Sequence, residues 1–241
     1  MDPGDILRRG QEHASNGRHE EALRDYLWFH KHALEHERAY YGVRLSFALV
    51  YWRELADAYP PAATAMTEVR DEAAAAVLSL ERDTWTLFDE VMAIDRELGR
   101  SRDTYELFLA LMARDQDRAK RCAAIAMPSI VEAGDYHLAT KFLPHPEQYL
   151  LLKSDRLNEN LERKVAPRSR ALAELDAFVH IYCEDVELLL RVIDGVGEKS
   201  WRGAAIVWAI ALVRSRKARS MVAVLLADSG NRKDRLRGAA A

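Results

Sequence analysis

Apolar residues recur with helical spacing along most of the chain. The clearest stripe consists of Ala62, Met66, Val69, Ala73, Val77 and Leu80. Positions three or four apart share one face of an α-helix, whereas a half-buried strand alternates apolar and polar residues with a period of two. No stretch of comparable length shows that alternation. The pattern therefore predicts an all-α protein without β-strands.

Short breaks divide this pattern into about twelve to thirteen helices. The breaks are Ser15-Asn16-Gly17, Pro60-Pro61, Gly99-Arg100-Ser101, Gly134-Asp135, Leu143-Pro144-His145-Pro146 and Gly195-Val196-Gly197. Glycine suits the end of a helix, and proline suits the first turn of the next one. The helices are predicted near residues 4–15, 19–36, 38–58, 61–81, 83–98, 101–114, 116–133, 136–143, 145–164, 168–183, 184–194, 198–214 and 216–228. Connections of about two to four residues favour antiparallel hairpins.

Residues 5–36 resemble a tetratricopeptide repeat, a helix hairpin in which small residues let the two helices approach closely. Gly10 occupies the small position of the first helix, and Gly17 occupies the turn. Ala22 occupies the small position of the second helix, and Tyr26 supplies its aromatic residue. These positions carry the resemblance to the tetratricopeptide-repeat family.

A second resemblance to this repeat covers residues 119–143. Gly134-Asp135-Tyr136 provides the turn, and Ala139 provides the small residue of the second helix. Leu143 stands in place of the usual aromatic residue, and Pro128 falls inside the first helix. The second repeat therefore departs from the family pattern at two positions.

The resemblance implies an α-solenoid of antiparallel, tetratricopeptide-like hairpins over residues 1–150. The helix pairs at 38–81 and 83–114 alternate correctly but depart from the family's period of about 34 residues. Residues 151–241 form a C-terminal helical segment with a basic tail, which is expected to continue the array. The charged stretch 153–170 marks either an internal boundary or the solvated ends of two long helices.

The resemblance also implies an adaptor or scaffold that binds a protein or peptide partner in the concave groove of the array. In this family the first helix of each repeat lines the groove. The corresponding partner-binding residues are Leu7, Gln11, Ala14, Arg121, Ala124 and Val131. Aromatic residues are concentrated at 26–29 and between 40 and 52. They either grip a peptide or pack between helix pairs.

Formal charge is unevenly distributed along the chain. Residues 199–241 carry ten Lys/Arg and two Asp/Glu, so a net charge of −3 leaves −11 on residues 1–198. Beside this basic block, residues 193–200 resemble the hairpin of a helix-hairpin-helix element, in which backbone N–H groups contact a phosphate. A nucleic-acid-associated protein is thus an alternative hypothesis, with the candidate residues Gly195, Gly197, Lys199, Arg202, Arg214, Arg216, Lys217 and Arg219. Trp201 replaces the family's alanine, which favours an ordinary interhelical turn.

His32, Glu35 and His36 match the inverted zinc-peptidase pattern, in which two histidines one helical turn apart ligate zinc. A metal-dependent hydrolase is a further alternative, although a polar helix end explains these residues more simply. No metal and no cofactor are predicted. Five of the eight histidines lie between His13 and His36. Protonation of these histidines at about pH 6 would loosen this end of the protein or its contact with a partner. Alternatively, they are simply exposed on polar helix faces.

The sequence favours a cytoplasmic protein without membrane contact. Cys122 and Cys183 are 61 residues apart and fit no metal-binding spacing, which is typical of a reducing compartment. The first residues lack the basic and apolar regions of a signal peptide. The longest apolar run, Gly203 to Val213, has 11 residues, about half of what a bilayer crossing requires. A homodimer that uses this run remains an alternative.

Overall fold

A computed structural model describes residues 2–80, 83–163 and 168–238. Its helices are α1 (Pro3–Ser15), α2 (His19–His36), α3 (Tyr40–Arg44), α4 (Phe47–Ala58), α5 (Pro60–Leu78), α6 (Thr84–Leu98), α7 (Ser101–Arg114), α8 (Gln116–Glu132), α9 (Tyr136–Phe142), α10 (Pro146–Glu162), α11 (Arg168–Gly195), α12 (Lys199–Ala211) and α13 (Arg216–Gly238). All regular secondary structure in the described ranges is helical, which confirms the all-α prediction.

The helices begin and end at residues whose chemistry suits those positions. The side chain of Asp2 accepts a hydrogen bond from the backbone N–H of Asp5 at 3.3 Å, and α1 starts with Pro3. Asp115 caps α8 in the same way. Gly99, which ends α6, has a φ of 67°, a left-handed conformation that glycine adopts without steric cost. The predicted breaks therefore correspond to real helix ends.

The division into helices differs from the sequence-based prediction in two places, and α13 extends to Gly238 instead of ending at residue 228. The predicted helix 38–58 is divided into α3 and α4, because Ser46 leaves the helical conformation with φ −133° and ψ −99°. The predicted helices 168–183 and 184–194 form one continuous helix, α11. No glycine or proline interrupts the sequence between those two segments, so nothing forces the helix to stop there.

The helices form two compact units, unit 1 (Met1–Ala133) and unit 2 (Gly134–Ala241). The boundary between the units lies between Ala133 and Gly134, earlier in the chain than the predicted boundary at residues 150/151. The reason is that α9 packs against α11 within unit 2. This boundary also assigns α8 and α9, the two helices of the second predicted repeat, to different units.

In unit 1 each helix packs mainly against its next neighbours along the chain. The closest pairs are α1 with α2, α5 with α6, and α7 with α8, while α4 packs against α2, α5 and α6, and α6 also packs against α8. The largest fully buried side chains include Phe29, Trp52 and Met66. The indole N–H of Trp52 donates to the backbone carbonyl of Ala62 at 3.0 Å, so the core also ties α4 to the start of α5.

Unit 2 is built around α11, which packs against α9, α10, α12 and α13. Leu150, Val186 and Val222 are fully buried in its core. The Tyr182 hydroxyl donates to the backbone carbonyl of Ala209 at 2.8 Å. The Asn158 side chain donates to the carbonyl of Leu212, and so fastens α10 to the end of α12.

Candidate functional site

A cleft of about 320 Å³ in unit 1 lies where α1, α2 and α4 meet. Gln11 and Ala14 of α1, two of the predicted partner-binding residues, line this cleft. Tyr51 and Glu54 line it from α4, and Tyr26 lines it from α2. The structure therefore brings part of the predicted groove together with residues of α4 that the sequence analysis did not assign to it.

The outward face of α4 continues from this cleft as a row of side chains that are exposed except for the half-buried Tyr51. Phe47, Val50, Tyr51 and Glu54 lie three or four positions apart and therefore share one face of the helix. Phe47 is 63% exposed and Val50 is 38% exposed. We call these four residues the α4 strip. It places exposed aromatic and aliphatic surface directly beside a concave cleft.

Tyr26 forms an uncharged wall of the cleft. A Cβ atom on Gly10 would lie 2.6 Å from Cε1 of Tyr26, so glycine is what permits this close approach of α1 and α2. Burial raises the pKa of Tyr26 to about 12, and the charges of Glu54 and of Tyr51 act in the same direction. The hydroxyl is therefore neutral at neutral pH. Among the described residues that line the cleft, Glu54 supplies the only carboxylate.

A buried ionic network joins α2, α3 and α6. The Arg44 guanidinium donates to Oε2 of Glu90 and to the backbone carbonyl of His30, each at 2.7 Å. Nε2 of His30 lies 2.7 Å from Oε1 of Glu90. All three residues are buried. Since Arg44 ends α3 just before Phe47, the network fixes the point at which α4 and its strip begin.

Electrostatics hold this network in one protonation state at neutral pH. Burial alone would raise the pKa of Glu90, but the hydrogen bond from His30 and the charge of Arg44 outweigh it and lower the pKa to about 2. Burial lowers the pKa of His30, although its hydrogen bond to Glu90 acts in the opposite direction. At neutral pH the network therefore consists of a carboxylate, a guanidinium and a neutral imidazole.

The other predicted groove residues differ in exposure. Arg121 and Ala124 lie on the exposed face of α8. Leu7 is only 8% exposed and Val131 is fully buried, and both side chains lie in the interior of unit 1. The prediction that Leu7 and Val131 face a partner is therefore corrected, because their side chains contribute to the core.

Several of the predicted phosphate-binding cations have partners within unit 2. Arg202 forms an ion pair with Asp194 at 2.5 Å. Arg214 pairs with Glu162 at 2.9 Å, and Arg219 donates to the backbone carbonyl of Val213. The two remaining described cations are the exposed Arg216 and Lys217, while the Lys199 side chain lies outside the described part of the chain. The predicted cationic set is thus not a free cluster.

The turn between α11 and α12 is tightly packed on one side. Gly197 has a φ of 84°, as the end of a helix often requires. A Cβ atom on Gly195 would lie 2.1 Å from the Tyr136 ring, so Gly195 makes room for α9. Packing therefore accounts for one of the two glycines on which the helix-hairpin-helix resemblance depends.

The histidine pair at the end of α2 does not form a recognisable metal site. Nδ1 of His32 lies 3.1 Å from Glu35, and the Trp28 ring lies beside the rings of His32 and His36. Within residues 2–80, 83–163 and 168–238, no three His, Cys, Asp or Glu side chains are grouped as metal ligands. The pattern of the zinc peptidases thus lacks a third ligand among the described residues.

Comparisons with known proteins add no family to these observations. The chain matches no family model, no curated protein and no solved structure. None of the helices in the described ranges combines the length and the apolar character that a membrane crossing requires.

The ionic network and the exposed part of the α4 strip were not predicted from the sequence. His30 and Glu90 are 60 positions apart, and a single sequence gives no sign that such residues meet. For the aromatic residues at 40–52, packing between helices is observed, whereas peptide binding stays a prediction. Trp52 is buried in the core, whereas Tyr51 lines the cleft. The spacing of Phe47, Val50 and Glu54 was the available signal for a second face.

Proposed function

We propose that this chain is an adaptor that binds a protein partner on the face of unit 1 formed by α1 and the α4 strip. The observation that carries this proposal is the exposure of Phe47 and Val50 beside a cleft that Gln11 and Ala14 line. Single exposed apolar residues are common on monomers, but an aligned group beside a concave surface is typical of an interaction site.

The packing order of unit 1 supports a helical-repeat scaffold for this surface. Helices α2, α4, α5 and α6 each contact the next helix along the chain and the next but one. Stacked helix hairpins have this order, because each repeat contacts only its neighbours. The close approach of Gly10 and Tyr26 also fits the small position and the aromatic position of the tetratricopeptide-repeat resemblance.

The charge of the α4 strip indicates which kind of partner this surface would bind. Glu54 has no ion-pair partner among the described residues, and it lies on the same face as Phe47 and Val50. A segment that places apolar side chains on Phe47 and Val50, and a lysine or arginine near Glu54, would complement the strip. The proposed partner is therefore a protein segment with apolar and basic residues at neighbouring positions.

Site-specific photo-crosslinking in the native host tests this function. A photoreactive phenylalanine derivative replaces Phe47, and in a matched control it replaces Leu152 of unit 2, which is equally exposed at 63%. We expect a discrete adduct with one protein from position 47 and none of that adduct from position 152. The absence of an adduct at position 47, or identical adducts at both positions, would contradict the proposal.

Nucleic-acid association is the alternative, and it rests on Arg216 and Lys217, which are exposed at the start of α13. Salt dependence separates the two functions, because neutralising phosphates makes affinity fall steeply with rising salt. Binding of labelled oligonucleotides that weakens steeply with salt and requires both cations would favour the alternative. Capture of a protein segment that depends on Phe47 would favour the adaptor.

A further inference from the structure

A second cleft, of about 450 Å³, lies within unit 2. The loop between α9 and α10 meets the end of α11 and the start of α12 at this place. Leu143, Leu189, Val192 and Ile193 provide an apolar lining. The volume is within the range of small-molecule sites, about 300–1,000 Å³. The cleft is therefore large enough for a small organic molecule.

Aromatic rings form one side of the cleft. The rings of His145 and Trp201 both line it, with centroids 5.3 Å apart and planes at 85°. Trp208 packs against Trp201 at a centroid distance of 6.1 Å, which restrains the indole from behind. The faces of aromatic rings carry negative electrostatic potential, and tryptophan attracts cations most strongly.

The charge of the cleft has the sign that a cation requires. Among the described residues that line it, Glu198 carries the only carboxylate, and no lysine or arginine is present. The nearest described cation along α12, Arg202, is paired with Asp194. The C-terminal end of α11 and the N-terminal end of α12 meet here, so their opposite dipoles offset each other. Glu198 therefore places a negative charge at the described wall of the cleft.

We propose that this cleft binds a small organic cation with an alkylated ammonium group. The methyl groups of such a ligand would contact Leu143 and Ile193, and its diffuse positive charge would lie against Trp201 and near Glu198. An anion is disfavoured by the same carboxylate. This site is independent of the adaptor surface, since all of its residues belong to unit 2.

Choline and its neutral isostere, the dimethylbutanol in which carbon replaces the ammonium nitrogen, provide the test. The full chain is labelled with ¹⁵N at its five tryptophans, and the Trp201 indole signal is assigned with Trp201→Phe. We expect choline to shift this signal saturably and to bind at least about tenfold more tightly than the isostere, in line with a partly desolvated cation–π contact. Equal affinities, or no saturable shift, would overturn the proposal.

Variants of exposed glutamates separate the charge of the cleft from general effects. Glu198→Gln should reduce the preference for choline over the isostere to about threefold or less, since the ring contact remains while the carboxylate charge is lost. Glu184→Gln, on an exposed position of α11 outside the cleft, should leave the preference unchanged. Equal loss in both variants, or phosphate shifting the Trp201 signal in place of choline, would also overturn the proposal.

Discussion

The interiors of the two units differ in how they use charge. In unit 1 the buried residues include Asp25, His30, Arg44, Glu90 and Asp95. In the described core of unit 2, the buried polar side chains are Ser154 and Asn158, and no charged side chain is buried. Apolar burial stabilises unit 2, whereas in unit 1 the relative placement of several helices also depends on ion pairs that must remain intact.

This difference bears on the proposed function. Arg44 connects α2 and α6 through His30 and Glu90, and it is the last residue of α3, the helix that precedes α4. A binding surface that is fixed before the partner arrives loses less conformational entropy on association. We therefore expect the buried charges of unit 1 to contribute to binding by holding the α4 strip in place, while unit 2 has no comparable buried network in its described core.

The largest expected effect comes from removing the carboxylate at the centre of the network. Glu90→Gln leaves the Arg44 charge buried without a counterion, and breaking such a pair costs about 3–5 kcal/mol. Amide hydrogen exchange of the full chain should show this loss in α2, α3 and α6. Glu72→Gln, at an exposed position of α5, is the control and should change stability by less than about 0.5 kcal/mol. Equal effects would refute a special role for Glu90.

A core truncation should produce the corresponding loss in unit 2. Leu150 is fully buried, and Leu150→Ala creates a cavity that costs about 3 kcal/mol. The same hydrogen-exchange measurement should place this loss in α10 and α11. Leu152→Ala, two positions away on the exposed face, should cost much less. If both variants behaved alike, the described packing of α10 would be wrong.

Acid should weaken unit 1 more than unit 2. The pKa of Glu90 is lowered from 4.5 to about 2, so its stabilising effect is lost as the pH falls through that interval, amounting to about 2 kcal/mol by about pH 3. The lowered pKa of His30 also makes the folded state less stable as the pH falls, but at higher pH. Below about pH 6.5 the imidazole is protonated in the unfolded chain, whereas burial disfavours its protonation in the folded network. Opening free energies obtained from amide exchange, corrected for the intrinsic exchange rate at each pH, should fall selectively in α2 and α6, and a uniform fall in both units would contradict the comparison.

A smaller effect is expected where a single methyl group is added. In Gly10→Ala the new Cβ would lie 2.6 Å from the Tyr26 ring, and the cost of overpacking is partly offset by the higher helix propensity of alanine. The net loss should be about 1 kcal/mol, measured by denaturant unfolding. Gly42→Ala in α3 has open space around its Cβ and should be neutral or slightly stabilising. Similar losses in both variants would argue against close packing of α1 on α2.

Much of the secondary structure followed from local sequence, but the tertiary contacts did not. Helices α2 and α7 have the predicted bounds, because glycine, asparagine and short polar breaks mark their ends. The end of α3 was missed, since nothing in the sequence around Ser46 resembles a strong helix stop. The pairing of Arg44 with Glu90 and of Arg214 with Glu162 depends on how distant helices pack. The charge pattern alone therefore predicted more unpaired cations in the C-terminal segment than its described residues contain.

The most direct measurement of the central claim is calorimetric titration of the purified full chain with the protein segment that crosslinks to position 47. Truncating a central aromatic contact commonly costs more than 1 kcal/mol of binding energy. We expect saturable binding that Phe47→Ala weakens at least about tenfold, and that Leu152→Ala leaves unchanged. Equal affinity of the Phe47→Ala variant and the unmodified chain would show that the α4 strip is not the binding surface.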